Sequence, residues 1–251
     1  MWEGCVAEQT WPGYRLQTRA QVGALSIDVD LSFEAPWTVL FGPSGAGKTT
    51  LLRAACGLGP CRKAVTFERA ETGAAGPDLL LLSSRPIDQR DIAYMPQHGA
   101  LFPHLTVEQN VRFGADVCEK DVRDAALIDE AMTTFQLHLL GERYPESLSG
   151  GERRRVALAR AFATPSARLM LLDEPFAGLD REQRDAFLPA MREQLNRRRL
   201  PVLSVTHDVE EALLLQAEVV VLEAGAIVRR GPARQALAAQ TAAMLAVLSG
   251  A

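Results

Sequence analysis

Strands alternating with helices predict an α/β fold. The expected core is a parallel-rich sheet, with an antiparallel β portion near the N-terminus and an inserted α-helical subdomain. Three observations carry this. The short apolar runs Trp37–Phe41, Leu169–Leu172 and Val202–Val205 read as strands buried on both faces. Helical spacing of apolar residues follows these strands. Between Gln97 and Arg160 the chain turns mostly helical.

Taken in order, Leu25–Phe33 alternates apolar and polar with period two and predicts a half-buried strand. Trp37–Phe41 ends at glycine, and Thr49–Cys56 reads as a helix stopped by Gly57. Residues 59–90 are rich in Gly, Pro and Ala, with one apolar run at Leu79–Leu82, and predict strands and loops. Thr106–Phe113, Val122–Phe135 and Glu152–Phe162 have helical spacing. Arg181–Arg199 predicts a charged amphipathic helix bent at Pro189. Val209–Gln216 predicts a helix, and Glu218–Leu222 with Ala226–Arg229 a hairpin about Gly225. The expected organisation is one domain over residues 1–251, with a core of 1–96 and 161–251 and a helical subdomain at 97–160.

A chain of 251 residues can bury a sizeable core. Its 47% apolar and 23% charged residues argue against disorder. A net charge of −4 disfavours nucleic acid as a partner. There is no apolar run long enough to span a bilayer, and the opening residues lack the pattern of a secretory signal. Cys5, Cys56, Cys61 and Cys118 form no CxxC pair, so free thiols in a reducing cytoplasm are expected rather than a zinc site.

Three motifs carry chemistry. Gly42-Pro43-Ser44-Gly45-Ala46-Gly47-Lys48-Thr49 matches G-x-x-x-x-G-K-[ST] and lies between an apolar strand and a helix. Glycines let backbone N–H groups close on phosphate oxygens, and a helix N-terminus adds partial positive charge. Lys48 supplies a full charge toward the β- and γ-phosphates, and the Thr49 hydroxyl is a Mg²⁺ ligand candidate, with Thr50 beside it. A random chain of this length shows the pattern roughly once in a hundred.

The second motif is Leu169-Met-Leu-Leu-Asp173-Glu174. Asp173 at the end of a buried strand is placed to hold Mg²⁺, and Glu174 to polarise an attacking water as general base. By itself an acid after an apolar strand is common; the first motif gives it meaning. The third is Leu148-Ser149-Gly150-Gly151-Glu152. Ser149 and Glu152 make an ordinary capping box. Capping does not call for Gly150 and Gly151, which leave N–H groups bare for a phosphate.

With the following Arg153-Arg-Arg-Val-Ala-Leu-Ala-Arg160-Ala, this third motif resembles the signature sequence of ABC-transporter ATPases, which more often have Gln where Glu152 stands. Other elements resemble that family in order: Tyr94-Met-Pro-Gln97 the Q-loop, Ala177-Gly-Leu-Asp180 the D-loop, and His207 the switch histidine. The resemblance runs from about residue 36 to residue 230. It implies a RecA-like P-loop NTPase core that binds and hydrolyses Mg-ATP. It implies a homodimer with two ATP at the interface, in which Ser149, Gly150 and Gly151 act in trans. It also implies that Gln97 senses Mg²⁺ and the γ-phosphate, that His207 contacts the γ-phosphate, and that Asp180 shapes the interface. A separate transmembrane permease, and through it a substrate-binding protein, would be the partners, on the cytoplasmic face of the membrane.

Wording around Phe41–Thr49, Leu101–His104 and Pro145–Glu152 is similar to the molybdate-import ATPases. Those carry an added C-terminal oxyanion-binding domain, whereas this chain ends some forty residues after His207. Importers of sulfate, phosphate, iron or polyamine stay open, as does a soluble ABC ATPase not tied to transport. A P-loop kinase would leave the signature unexplained. The family often stacks adenine on an early aromatic residue; Arg19 and Ala20 stand at that place, with Tyr14 and Trp11 the nearest aromatics. Tyr14 fits a strand residue better than a platform. The arginine runs 153–155 and 197–199 read as solvated helix faces. His98 and His104 flank Leu101-Phe102-Pro103, an apolar step that with Leu105 reads as a docking surface for the permease rather than a metal site.

Overall fold

The computed structural model describes residues 11–73, 76–115 and 122–249; Cys5 and Cys118 lie outside them. In chain order the strands are β1 (Tyr14–Val22), β2 (Leu25–Phe33), β3 (Trp37–Phe41), β4 (Val65–Gly73), β5 (Gly76–Leu81), β6 (Ile92–Met95), β7 (Leu169–Asp173), β8 (Val202–Thr206), β9 (Glu218–Glu223) and β10 (Ala226–Pro232). The helices are α1 (Lys48–Ala55), α2 (Val107–Arg112), α3 (Val122–Thr134), α4 (Gly150–Phe162), α5 (Arg181–Arg198), α6 (Val209–Leu214), α7 (Ala233–Ala236) and α8 (Ala238–Ser249).

One ten-stranded sheet runs β5-β4-β1-β2-β10-β9-β3-β8-β7-β6. Its β9-β3-β8-β7-β6 part is parallel, and its β5-β4-β1-β2 part is antiparallel. The two parts join where β10, antiparallel to β9, meets β2 at the pair Ala226 and Asp28. The antiparallel portion and the helices between β6 and β7 agree with the sequence expectation; the last of those helices, α4, runs two residues past Arg160.

The parallel strands are buried on both faces, and alternation sorts their side chains. Val39, Met170, Leu172, Val219 and Val221 face a core shared with α2, α3, α4 and α5. Leu40, Leu169, Leu171, Val220 and Leu222 face a second core shared with α1, β1, β2 and β4. On strands covered on both sides most residues are apolar, with Thr38, Ser204, Thr206 and Asp173 buried among them, which is why these runs read as strands.

Tyr14 is 2% exposed, stacked between Phe33 and Phe67, and its hydroxyl donates to the Arg168 carbonyl at 2.7 Å. It is a core residue of β1. Helix α5 continues through Pro189, which lies on the exposed face. The solvated-face reading of the arginine runs needs correction. Arg153, Arg197 and Arg199 are exposed, but Arg154 is buried, because main-chain carbonyls from two other segments converge on it. Cys56 and Cys61 are free and buried. Among the described residues no helix is long and apolar enough to cross a membrane.

Candidate functional site

The loop after β3 turns on Gly42, Gly45 and Gly47, all at positive φ. Gly42 has φ 151°, and a Cβ there would come within 2.1 Å of the Leu222 carbonyl oxygen. Gly47, at φ 100°, is the N-cap of α1. Only glycine suits both positions at no steric cost. Between them Pro43, Ser44 and Gly45 are exposed and Ala46 is buried; Thr49 and Thr50 are half-buried in the first turn of α1. The Lys48 ammonium donates to the carbonyls of Gly42 and Pro43 at 2.7 and 2.8 Å, so it lies folded along the loop. Burial pulls it below its ordinary pKa, opposed by the carboxylates of Glu174 and Asp173.

Asp173 ends β7, with its side chain against α1. Its Oδ1 accepts from Thr49 Oγ1 at 3.0 Å, while its Oδ2 is buried without a hydrogen-bond partner. Burial pushes its carboxyl up, and the Thr49 hydrogen bond opposes this. An orphaned carboxylate oxygen beside a hydroxyl is a hard-oxygen donor set that suits Mg²⁺, which takes few protein ligands and completes its shell with water and phosphate. Among the described residues no group of three or more His, Cys, Asp or Glu could hold a metal.

Glu174 follows at φ 49°, left-handed although not glycine. Such a backbone costs about 1–2 kcal/mol. Its carboxylate is held from two sides: Gln97 Nε2 donates to Oε2 at 3.0 Å, and His207 Nδ1 lies 3.2 Å from Oε1. Gln97 comes from the loop after β6 and His207 from the end of β8, so three sequence-distant candidates meet at one carboxylate. A cleft of about 430 Å³ opens here, lined by Glu174, Thr206, His207 and the turn from Ala177 to Leu179.

Ser149 caps α4 with its hydroxyl accepting from Glu152 N at 3.2 Å, while Ser149 N donates to Glu152 Oε2 at 2.7 Å. The capping box is therefore real. Nothing lies within 4 Å of a Cβ built on Gly150, so that side of the cap opens outward. Asp180 caps α5, accepting from Gln183 N at 2.7 Å. Among the described residues, no hydrogen bond joins Ser149, Gly150, Gly151 or Asp180 to the cluster around Glu174.

Two buried residues escaped sequence reasoning. Asn110, fully buried on α2, accepts from Phe102 N and donates to the carbonyls of Phe102, Leu105 and Thr106. It fixes the apolar step whose Phe102 packs 4.3 Å from Phe113 and under the Arg160 guanidinium. Arg154, on α4, reaches the main chain around Gln97 and Glu174. Helical spacing at Asn110 was the available signal for the first; the second had none. His98 and His104 are exposed. On β1, Arg19 pairs with Asp28, its exposed cross-strand neighbour on β2.

Residues 27–177 match the ABC transporter family. A molybdenum import ATP-binding protein of Albidiferax ferrireducens is 37% identical over 235 residues, covering 92% of this chain; the chain spans 62% of that protein's length. A molybdate/tungstate import ATP-binding protein of Archaeoglobus fulgidus is 35% identical over 235 residues, covering 94% of this chain and 93% of that protein. A probable sulfate/thiosulfate import ATP-binding protein of Chlorella vulgaris is 39% identical over 197 residues, covering 78% of this chain and 79% of that protein. Among solved structures, a dimeric ATP-binding cassette in a post-hydrolysis state with ADP and Pi superposes with a TM-score of 0.71 at 23% identity, covering 88% of this chain and 99% of that one. The superposition confirms the cassette fold, and the family match over residues 27–177 shows that the chain belongs to the ABC transporter family.

Proposed function

We propose that this chain binds Mg-ATP on the loop after β3 and hydrolyses it to drive import of a tetrahedral oxyanion through a separate permease. The observation that carries the chemistry is the Glu174 carboxylate held between Gln97 and His207, next to the Thr49–Asp173 pair. In this reading residues 42–50 wrap the phosphates, with Lys48 as their counter-charge. Thr49, Asp173 and Gln97 hold Mg²⁺. Glu174 takes the proton of the attacking water, and His207 and Gln97 orient it through their hydrogen bonds. Bound Mg²⁺ would neutralise developing phosphate charge.

Two copies close on two ATP, with Ser149, Gly150 and Gly151 of one copy capping the γ-phosphate held by the other, and Asp180 at the seam. The outward-facing cap at Gly150 supports this. Each copy is one ATPase domain with its helical subdomain at 97–160. The protein works at the cytoplasmic face of the membrane beside its permease. The oxyanion cargo rests on relatives named for import of molybdenum, molybdate or tungstate, and sulfate or thiosulfate. Molybdate is the favoured member.

The test is uptake of labelled molybdate and sulfate in cells whose own copy is replaced by wild type or by Glu174→Gln, with identification of the membrane chain that co-purifies. Uptake restored by wild type alone, with a permease attached, is the expected result. Equal uptake with both chains would defeat the reading.

A further inference from the structure

We propose that Arg154 is a positioning residue for Gln97 and Glu174, holding the main chain of both through one buried guanidinium. The inference rests on the catalytic reading of that pair. Arg154 lies in the first turns of α4 and is 7% exposed. Its Nε donates to the Pro175 carbonyl at 3.1 Å, its Nη2 to the Asp173 carbonyl at 3.2 Å, and its Nη1 to the Gln97 carbonyl.

The Asp173 and Pro175 oxygens belong to the residues on either side of Glu174. That matters because Glu174 is left-handed, and such a backbone persists only where its surroundings over-determine it. Glu174 N donating to the Val205 carbonyl at 2.9 Å supplies one restraint from β8. Ala177 N donating to the Glu174 carbonyl at 3.2 Å supplies another, and Arg154 adds two more from α4. Its third bond fixes the backbone of Gln97, whose amide reaches the same carboxylate. One side chain thus sets both ends of the Gln97–Glu174 hydrogen bond.

The residue type fits the task. A guanidinium is a rigid planar fork that can serve three carbonyls at once, whereas an ammonium is a point charge on a flexible stem. The carboxylates of Glu174 and Asp173 favour its charge against the pull of burial. Because Arg154 starts on the signature helix, a shift of α4 would be transmitted to the backbone on both sides of Glu174.

The test measures ATPase kinetics of Arg154→Gln and Arg154→Lys, each alone and combined with Glu174→Gln, alongside thermal unfolding and binding of a fluorescent ATP analogue. A misplaced reacting group costs up to about 100-fold, so Arg154→Gln should lower kcat by roughly 10- to 100-fold. KM and analogue affinity should stay within about twofold, since only an interaction of the transition state is lost. Arg154→Lys should recover part of the rate. In the Glu174→Gln background, measured by single turnover, Arg154→Gln should cost no more than about threefold further, because the group it positions is already gone.

The proposal is overturned by a folded Arg154→Gln with wild-type kcat, by a loss confined to KM, or by an equal loss in both backgrounds. If Arg154→Gln does not fold, Arg154→Lys decides by the same criteria. Glu174→Gln turning over like wild type would instead remove the reading on which the proposal stands, and the single variant shows which of the two has failed.

Discussion

Nδ1 of His207 lies 3.2 Å from Oε1 of Glu174, although 33 residues separate them in the chain. The contact ties the end of β8 to the end of β7, and it leaves Oε2 for Gln97. A carboxylate fixed at both oxygens is oriented before any substrate arrives.

Glu174→Gln keeps that shape and removes the base. Turnover should fall by roughly 10²–10⁴-fold while ATP still binds, and the variant should accumulate as an ATP-bound dimer in size-exclusion chromatography. Unchanged turnover would take Glu174 out of the chemistry.

Lys48→Ala should abolish tight ATP binding, since the phosphates lose the charge that now lies along the carbonyls of Gly42 and Pro43. Calorimetric titration with ATP checks this, and wild-type affinity would reject the phosphate-binding assignment.

Action in trans is tested with Ser149→Arg and Lys48→Ala chains. Each homodimer should be inactive, because every composite site then contains one broken half. A mixture should regain part of the ATPase rate, because one site pairs the intact cap of the Lys48→Ala chain with the intact loop of the Ser149→Arg chain. A fully active Ser149→Arg homodimer would show that the cap plays no part.

Glu211 is a buried acid on α6, the helix that follows His207. Burial raises its pKa from 4.5 to about 8, against the hydrogen bond from Thr206 Oγ1 at 2.9 Å. The folded protein therefore binds this proton more tightly than the unfolded chain. The resulting stability is complete below pH 4.5 and is lost as pH rises towards 8. Glu211→Gln should be insensitive over that window, so the melting temperature of wild type relative to the variant should fall from pH 5 to pH 8. A constant difference would mean that Glu211 does not titrate there.

Phe102→Asp tests the apolar step. The half-buried ring packs on Phe113 and Arg160, so its loss should cost about 0.5–1.5 kcal/mol in stability beyond the lost area, a modest change that leaves the fold intact. Basal ATPase activity should persist while co-purification with the permease is lost. Retained coupling would assign the cluster to packing alone.

Much of this was legible in the sequence for a specific reason. Val39, Leu40, Leu171 and Val220 sit on strands covered on both faces, where apolar residues outnumber the few buried polar ones such as Thr38 and Ser204 and keep the pattern clear. The loop after β3 is a local motif, and its chemistry travels with its spacing. Residues 59–90 were opaque because β4 and β5 are held by pairing partners such as Tyr14 with Arg69 and Arg69 with Leu80, which no local window contains. Arg154 was opaque for a sharper reason. In a run of three arginines its charge looks like a solvated face, and only the folded positions of the Gln97, Asp173 and Pro175 carbonyls make it interior.

The strand order β3-β8-β7-β6 has a last consequence. The loop after β3, His207, Glu174 and Gln97 follow these four neighbours, one group per strand. Adjacent strands lie about 4.8 Å apart, so the sheet works as a ruler about 14 Å long, graduated by its own hydrogen-bond ladder. A polyphosphate laid across the strand tips would meet a different functional group at each graduation. Precision in the chemistry is thus inherited from the spacing of the peptide backbone, and what the side chains must supply is identity rather than distance.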